Sequence, residues 1–318
     1  MTSPEQMEAA LLGAPLVFTR EQVTEQVGVP DADAHALWSA LGFPEVRPGE
    51  VAFTERDVVA LQTVVELRKA GVIEPDTLLI LARAMGQGLS RLAEAQIDVL
   101  RGQSARLTVE QAMETTTLAA SEVLPKLESL VVHVWRRQFA AATSRSFAMR
   151  QSEGLPVLAV GFVDLVGWTR TSRERDAAEL EELLETFEAD TALRVTAAGG
   201  RVVKTIGDEI MFVADTITGA AEVALATVEA HAADDTLPEV RAGLALGPVI
   251  TRLGDVFGEP VNLASRLTSE ARSGTVLVDR QAASALEDAA AFSVHRLKHR
   301  SVRGYAALRP SLLRRAGA

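Results

Sequence analysis

Arg201-Val-Val-Lys-Thr-Ile-Gly-Asp-Glu-Ile-Met-Phe-Val-Ala214 reads as two short strands joined by a two-residue turn. Apolar and β-branched residues fill both arms, and Gly207-Asp208 supplies the turn chemistry of a tight hairpin. Upstream, Val157–Val163 is an unbroken apolar run, the pattern of a strand buried on both faces. Between the two, residues 174–198 predict a long acidic amphipathic helix, closed by Gly199-Gly200. Downstream the pattern predicts a helix over about 217–233, a strand over 239–246, a helix over 260–272 and a strand over 275–278. The order β-α-β-β-α-β, with additions, is an α+β, ferredoxin-like arrangement.

Residues 1 to about 150 read differently, as almost wholly helical. Thr19-Arg-Glu-Gln22 is a capping-box pattern, and Thr54-Glu-Arg-Asp57 is a second helix start. A third stretch over about 76–101 places Leu78, Leu89 and Leu92 in the expected core. A fourth, over about 108–148, is expected to break near Pro125. Ser152-Glu-Gly-Leu-Pro156 reads as a linker. The expected organisation is an all-α domain over 1–150 and an α+β domain over 155–310.

The 318 residues carry a formal net charge of −11, which argues against nucleic acid or an anionic membrane surface as partner. Without cysteine, disulfides, thiol catalysis and cysteine-ligated zinc are excluded. No apolar run approaches the roughly 18–20 residues of a membrane span. The first residues lack a secretory signal pattern, so cytoplasm is the expected location.

Three segments carry candidate chemistry. Phe162-Val-Asp-Leu-Val-Gly-Trp-Thr169 puts Asp164 at the end of an apolar strand, before a glycine turn whose N–H groups can meet phosphate. Lys204-Thr-Ile-Gly-Asp-Glu209 puts Asp208 in the hairpin turn. Two carboxylates on adjacent strand ends can share divalent cations, because hard oxygen ligands suit magnesium. Gly254-Asp-Val-Phe-Gly-Glu-Pro-Val-Asn-Leu-Ala-Ser-Arg-Leu267 sets Asn262 and Arg266 four apart, on one helix face. Each alone has an ordinary structural reading as a turn residue or a solvated helix face.

Together, Phe-x-Asp-Leu-x-Gly-x-Thr, Lys-x3-Asp and Asp-x6-Asn-x3-Arg resemble the catalytic domain of class III nucleotide cyclases over about residues 155–310. The resemblance implies that Asp164 and Asp208 bind two metal ions, Mg2+ or Mn2+, with the Leu165 carbonyl as a further ligand. It implies that Lys204 and Asp255 read adenine, that Asn262 orients the ribose and that Arg266 stabilises charge at the α-phosphate. Arg303 falls where the family often has a lysine facing the terminal phosphates, and Arg252 is a further phosphate candidate. ATP is the implied substrate and cyclic AMP the product. In this family the site lies between two catalytic domains, so a chain with one complete set implies a homodimer.

Guanylate cyclase is the near alternative, but guanine-specific relatives commonly carry Glu and Cys where Lys204 and Asp255 stand. Ile206-Gly-Asp-Glu-Ile210 only partly matches a diguanylate cyclase signature, which leaves Asn262 and Arg266 unexplained. Phe18-Thr-Arg-Glu-Gln22 through Phe53-Thr-Glu-Arg-Asp57 resembles a MerR-like helix-turn-helix, which would make a DNA-binding regulator. Within residues 1–100, however, acidic side chains outnumber basic ones fifteen to seven. The would-be recognition helix opens with Asp31 and Asp33 and holds no Lys or Arg, a surface that repels phosphate.

The whole layout resembles the autoinhibited, acid-sensing adenylate cyclases of mycobacteria and related actinobacteria. That likeness rests on Phe18-Thr-Arg-Glu-Gln22, Arg83-Ala-Met-Gly-Gln-Gly-Leu-Ser90 and the Pro125 helix. It implies an N-terminal regulatory domain, responsive to pH, with a fatty acid or other lipid as a further partner. His133, on the helix expected to couple the domains, is a candidate proton sensor; its plain reading is a ring packed beside Val132, Val134 and Trp135.

Overall fold

The computed structural model describes residues 3–71, 73–104, 107–150, 154–298, 300–302 and 305–317. Arg303, expected at the terminal phosphates, lies outside the described residues. The chain divides into two compact units, Met1–Ser144 and Arg145–Ala318.

The first unit runs α1 (Pro4–Leu12), β1 (Phe18–Thr19), α2 (Arg20–Val27), α3 (Asp31–Leu41), β2 (Val51–Phe53), α4 (Glu55–Lys69), α5 (Pro75–Ser104) and α6 (Val109–Glu122), with most of α7 (Leu124–Arg150). Local rules set its helix starts. Thr19 with Gln22, Thr54 with Asp57 and Thr108 with Gln111 form reciprocal capping boxes that satisfy free backbone donors at the starts of α2, α4 and α6. The break before Pro125 falls at Val123, where the proline ring can begin a helix but not continue one. Val23, Ala34, Leu37, Trp38, Phe53, Val58 and Leu61 build a small core around α2, α3 and α4, and the Trp38 and Phe53 rings stack with centroids 4.5 Å apart. The β1–β2 ribbon was not expected, because strands of two and three residues carry no readable period.

Two expectations about side chains need correcting. Leu78 packs against the core, but Leu89 and Leu92 are 50% and 38% exposed in the lower part of α5. His133 does not pack either: it is exposed, and Val132, Val134 and Trp135 beside it are exposed too. A helix of 30 residues outruns the small core it leans on, so part of its apolar stripe is left uncovered within this unit.

The second unit takes the end of α7 and continues β3 (Val157–Leu165), α8 (Trp168–Glu174), α9 (Ala177–Ala197), β4 (Arg201–Ile206), β5 (Glu209–Ala214), α10 (Ile217–Ala232), β6 (Val240–Pro248), β7 (Ile250–Arg252), β8 (Asp255–Phe257), α11 (Glu259–Glu270), β9 (Val276–Val278), α12 (Arg280–Glu287), β10 (Phe292–Arg296), β11 (Arg300–Val302), β12 (Tyr305–Leu308) and β13 (Ser311–Arg315). The long helix expected over 174–198 is α9, which starts at Ala177 because Asp176 caps it and accepts the Glu179 N–H at 2.9 Å; the short α8 before it was not foreseen as a separate element.

One seven-stranded sheet has the order β10-β13-β9-β6-β3-β5-β4. Its β6-β3-β5-β4 portion is antiparallel throughout, the ferredoxin-like arrangement, and β9 extends it by pairing parallel with β6. The central β3 shows why an unbroken apolar run was needed. Ala159, Val163 and Leu165 pack with α9 and α10 on one face, while Leu158, Val160 and Phe162 pack with α11 and the β7–β8 ribbon on the other. Asp164 continues the even-numbered series, so period-2 alternation delivers it to the α11 face at the strand's end.

At the last strand, Arg315 binds two glutamates of α10. Its Nη atoms donate to Glu222 at 2.8 and 2.9 Å, and its Nε donates to Glu229 at 2.7 and 2.9 Å. The Arg315 hydrogen bonds hold the Glu222 carboxyl below its usual range. Arg315→Ala is expected to cost about 1 kcal/mol, kept small by solvent screening. A depressed folded-state carboxyl pKa gives stability that is present above the unfolded value and lost as pH falls. The gap between parent and variant in urea melts should therefore be full at pH 7 and shrink below about pH 4.

Candidate active site

Three neighbouring strands meet at the first cluster. Asp164 on β3 stands opposite Glu209 on β5 and Arg241 on β6. The Leu165 N–H donates to the Asp208 carbonyl at 3.2 Å, which ties the β4–β5 turn to the end of β3. Arg241 directs Nε and Nη2 at one oxygen of Asp164, Oδ2, each at 2.7 Å. Its Nη1 donates to the Ser269 carbonyl of α11 at 3.0 Å. The other oxygen of Asp164 accepts no hydrogen bond among the described residues.

Negative charge is crowded here. Burial, then the nearby Asp164, push the Asp208 carboxyl above its ordinary value. Glu209 is pushed up to about 7 by burial first and by Asp164 and Asp208 after it. Among the described residues Arg241 is the one guanidinium facing these three carboxyl groups, so the cluster is short of positive charge.

The second cluster joins β4 to the β7–β8 ribbon. Lys204 Nζ donates to Asp255 Oδ2 at 2.7 Å across 51 residues of sequence, and the Val256 N–H donates to Asp255 Oδ1 at 2.8 Å. Burial alone would raise the Asp255 carboxyl, but these two donors outweigh it and hold it below its usual range. Arg201 Nη1 donates to the Gly254 carbonyl at 2.9 Å.

Asn262 and Arg266 share the exposed face of α11, as their spacing predicts, while Ala264, Leu267 and Thr268 hold the helix to the sheet. Neither has a side-chain partner among the described residues. Arg252 closes β7, exposed and next to the turn before Asp255. Within one chain, then, the carboxylate cluster, the Lys204–Asp255 pair and the α11 face stand as three separate groups, with no bond from Arg266 or Asn262 to either of the others among the described residues.

The family model for the adenylate and guanylate cyclase catalytic domain matches residues 151–313. An adenylate cyclase of Streptomyces coelicolor is 44% identical over 277 residues, covering 86% of this chain and 72% of that protein. An adenylate cyclase of Glutamicibacter nicotianae is 36% identical over 96% of this chain and 80% of its own length. The chain belongs to the class III adenylate cyclases. A pH-sensitive adenylate cyclase of Mycobacterium tuberculosis is 30% identical over 84% of this chain and 70% of its own. No helix among the described residues is long and apolar enough to cross a membrane.

Catalytic domains of class III cyclases use divalent metal ions. The donor set of this cyclase fits such an ion: two close carboxylates that repel one another, one free oxygen on Asp164, and hard oxygen chemistry throughout. Among the described residues no group of three or more His, Cys, Asp or Glu is arranged to hold a metal, so the fit rests on Asp164 and Asp208. Sequence reading missed Glu209, Arg241 and Arg201 in this cyclase. A charge alternating onto the inward face of a strand, as Arg241 does beside Gly243 and Ala245, is the signal that would have found one of them.

Proposed function

We propose that this adenylate cyclase converts ATP to 3′,5′-cyclic AMP and pyrophosphate at a site shared by two copies of the chain. The observation that carries the reading is the separation just described. One chain presents a cation-poor carboxylate pair and, apart from it, a free Asn262–Arg266 face and a base-reading pair. Two copies in a symmetric dimer would bring complementary halves together twice.

In this mechanism Asp164, Asp208 and the Leu165 carbonyl would hold two ions, Mg2+ or Mn2+. When bound, those ions lower the pKa of the ribose 3′-hydroxyl and neutralise the β- and γ-phosphates. The 3′-oxygen attacks the α-phosphorus in line, its proton passes to solvent water, and pyrophosphate leaves with the electron pair of the broken P–O bond. The partner copy's Lys204 donates to adenine N1 and its Asp255 accepts from the 6-amino group. Its Asn262 orients the ribose, and its Arg266 meets charge that grows at the α-phosphate, work that a preorganised donor does best in a water-poor site. Arg252 and Arg303 are the candidates for the terminal phosphates.

The first unit is read as a regulatory domain. The relatives match far more of the chain than the catalytic region, and one of them carries pH sensitivity in its name. A pH or lipid signal to this unit is part of the proposal.

Incubating the full chain with ATP and Mn2+ is expected to yield cyclic AMP by mass spectrometry. EDTA should abolish the product and added Mn2+ restore it. Asp208→Asn, which keeps the shape and removes the charge, should lower kcat by at least about a hundredfold. Product that survives both EDTA and Asp208→Asn would exclude metal-assisted chemistry at these carboxylates.

A further inference from the structure

The Lys204–Asp255 pair depends on where the β7–β8 turn puts Asp255. That turn is Leu253-Gly254, and both residues have positive φ, 52° and 83°. Two such residues in succession match the twist of a tight hairpin. Glycine adopts this conformation freely, whereas leucine there is strained by its Cβ. Among the described residues Leu253 alone is a non-glycine with positive φ. A strained turn persists where its surroundings over-determine it.

Arg201 supplies the restraint. Its Nη1 reaches 53 residues along the chain to the Gly254 carbonyl, at 2.9 Å. It sits at the start of β4, three residues before Lys204, so one strand carries both the amine of the pair and the anchor of the turn that presents the carboxylate. Burial pushes the Arg201 guanidinium below its ordinary value, and its charge adds to the influences that keep Asp255 ionised. An exposed arginine would have many water-bonded alternatives. This one is half-buried and aimed at a main-chain oxygen.

We propose that Arg201 is a specificity-determining positioning residue, which anchors the Leu253-Gly254 turn to β4 so that the Asp255 carboxylate accepts from the 6-amino group of adenine and opposes the 6-oxo group of guanine. The inference deepens, and rests on, the base-reading role proposed for Lys204 and Asp255. A fixed carboxylate facing a carbonyl oxygen leaves two acceptors unpaired. A mobile one can turn away, and discrimination falls.

The test is the ratio of kcat/KM for ATP to that for GTP, measured on the full chain at one fixed Mn2+ concentration. Arg201→Gln is expected to lower the ratio at least tenfold, with the loss concentrated in kcat/KM for ATP. Arg201→Lys keeps the charge with a shorter reach to the carbonyl and should fall between, in a protein that retains the half-buried cation if Arg201→Gln folds poorly. A purely structural role would lower both nucleotides together, so a ratio within twofold of the parent in the folded variants overturns the proposal. Lys204→Ala and Asp255→Ala separate the two layers. If they collapse the ratio and Arg201→Gln does not, only the positioning inference is lost. If they too leave it unchanged, the base-reading role itself is wrong.

Discussion

Mixing Asp164→Ala protein with Arg266→Ala protein is expected to restore cyclic AMP synthesis that neither supports alone. Asp164→Ala removes a carboxylate from the cation-poor cluster, and Arg266→Ala removes the guanidinium that has no side-chain partner among the described residues of its own chain. Each change should cost about 10² to 10³ in kcat, the scale of losing one preorganised charge at a reacting centre. In a shared-site dimer, one Asp164→Ala chain and one Arg266→Ala chain form one site carrying both lesions and one carrying neither. Random exchange at equal concentration makes half the dimers mixed, each with one intact site of two, so recovery should approach about a quarter of parental activity. Activity measured before and after subunit exchange, followed by native mass spectrometry, checks this. If mixed dimers form and activity stays at the single-variant level, both halves of the site belong to one chain.

The second large effect is expected at Gly243. A Cβ there would lie 2.3 Å from the Thr268 nitrogen, 2.4 Å from the Ala264 carbonyl oxygen and 2.6 Å from Thr268 Oγ1. Two of those three atoms are main chain of α11, so no rotamer change relieves the clash. The helix must lift from β6. Gly243→Ala is therefore expected to destabilise by about 3 kcal/mol or more, at the upper end for overpacking because backbone rather than side chain must yield. The same displacement moves Asn262 and Arg266, so kcat should fall further than the folded fraction in the assay explains. Urea denaturation and kcat per folded molecule read the two effects. A variant within about 0.5 kcal/mol of the parent, with normal turnover, would show that α11 does not rest on the strand.

The strands and helices from 157 to 278 were legible because each one either alternates or runs apolar for a full element. Val157–Val163, for example, needs two buried faces and finds them. The ribbon at 250–257 and the strands after 290 were not, since strands of three to five residues carry too few positions for a period to be read. In α5, Leu89 and Leu92 kept a helical apolar spacing yet stay exposed, because spacing predicts a face and not what covers it. The candidate site shows the same division. Asp164, Asp208, Lys204, Asp255, Asn262 and Arg266 could be named from motifs. That Lys204 and Asp255 would hold each other, and that Arg241 would tie Asp164 to the end of α11, are facts of tertiary pairing that no local spacing encodes.

Lys204 lies on the sheet's edge strand and Asp255 in a ribbon outside it, whereas Asp164 lies on an interior strand, paired on both sides. Substitution at the first two empties no core and breaks no main-sheet hydrogen bond. On the base-reading role proposed for these two residues, purine preference could be altered by a few exchanges at the rim at little risk to foldability, while Asp164 stays under the constraint of the interior. Such a scaffold could then be turned to another nucleotide more readily than to another reaction.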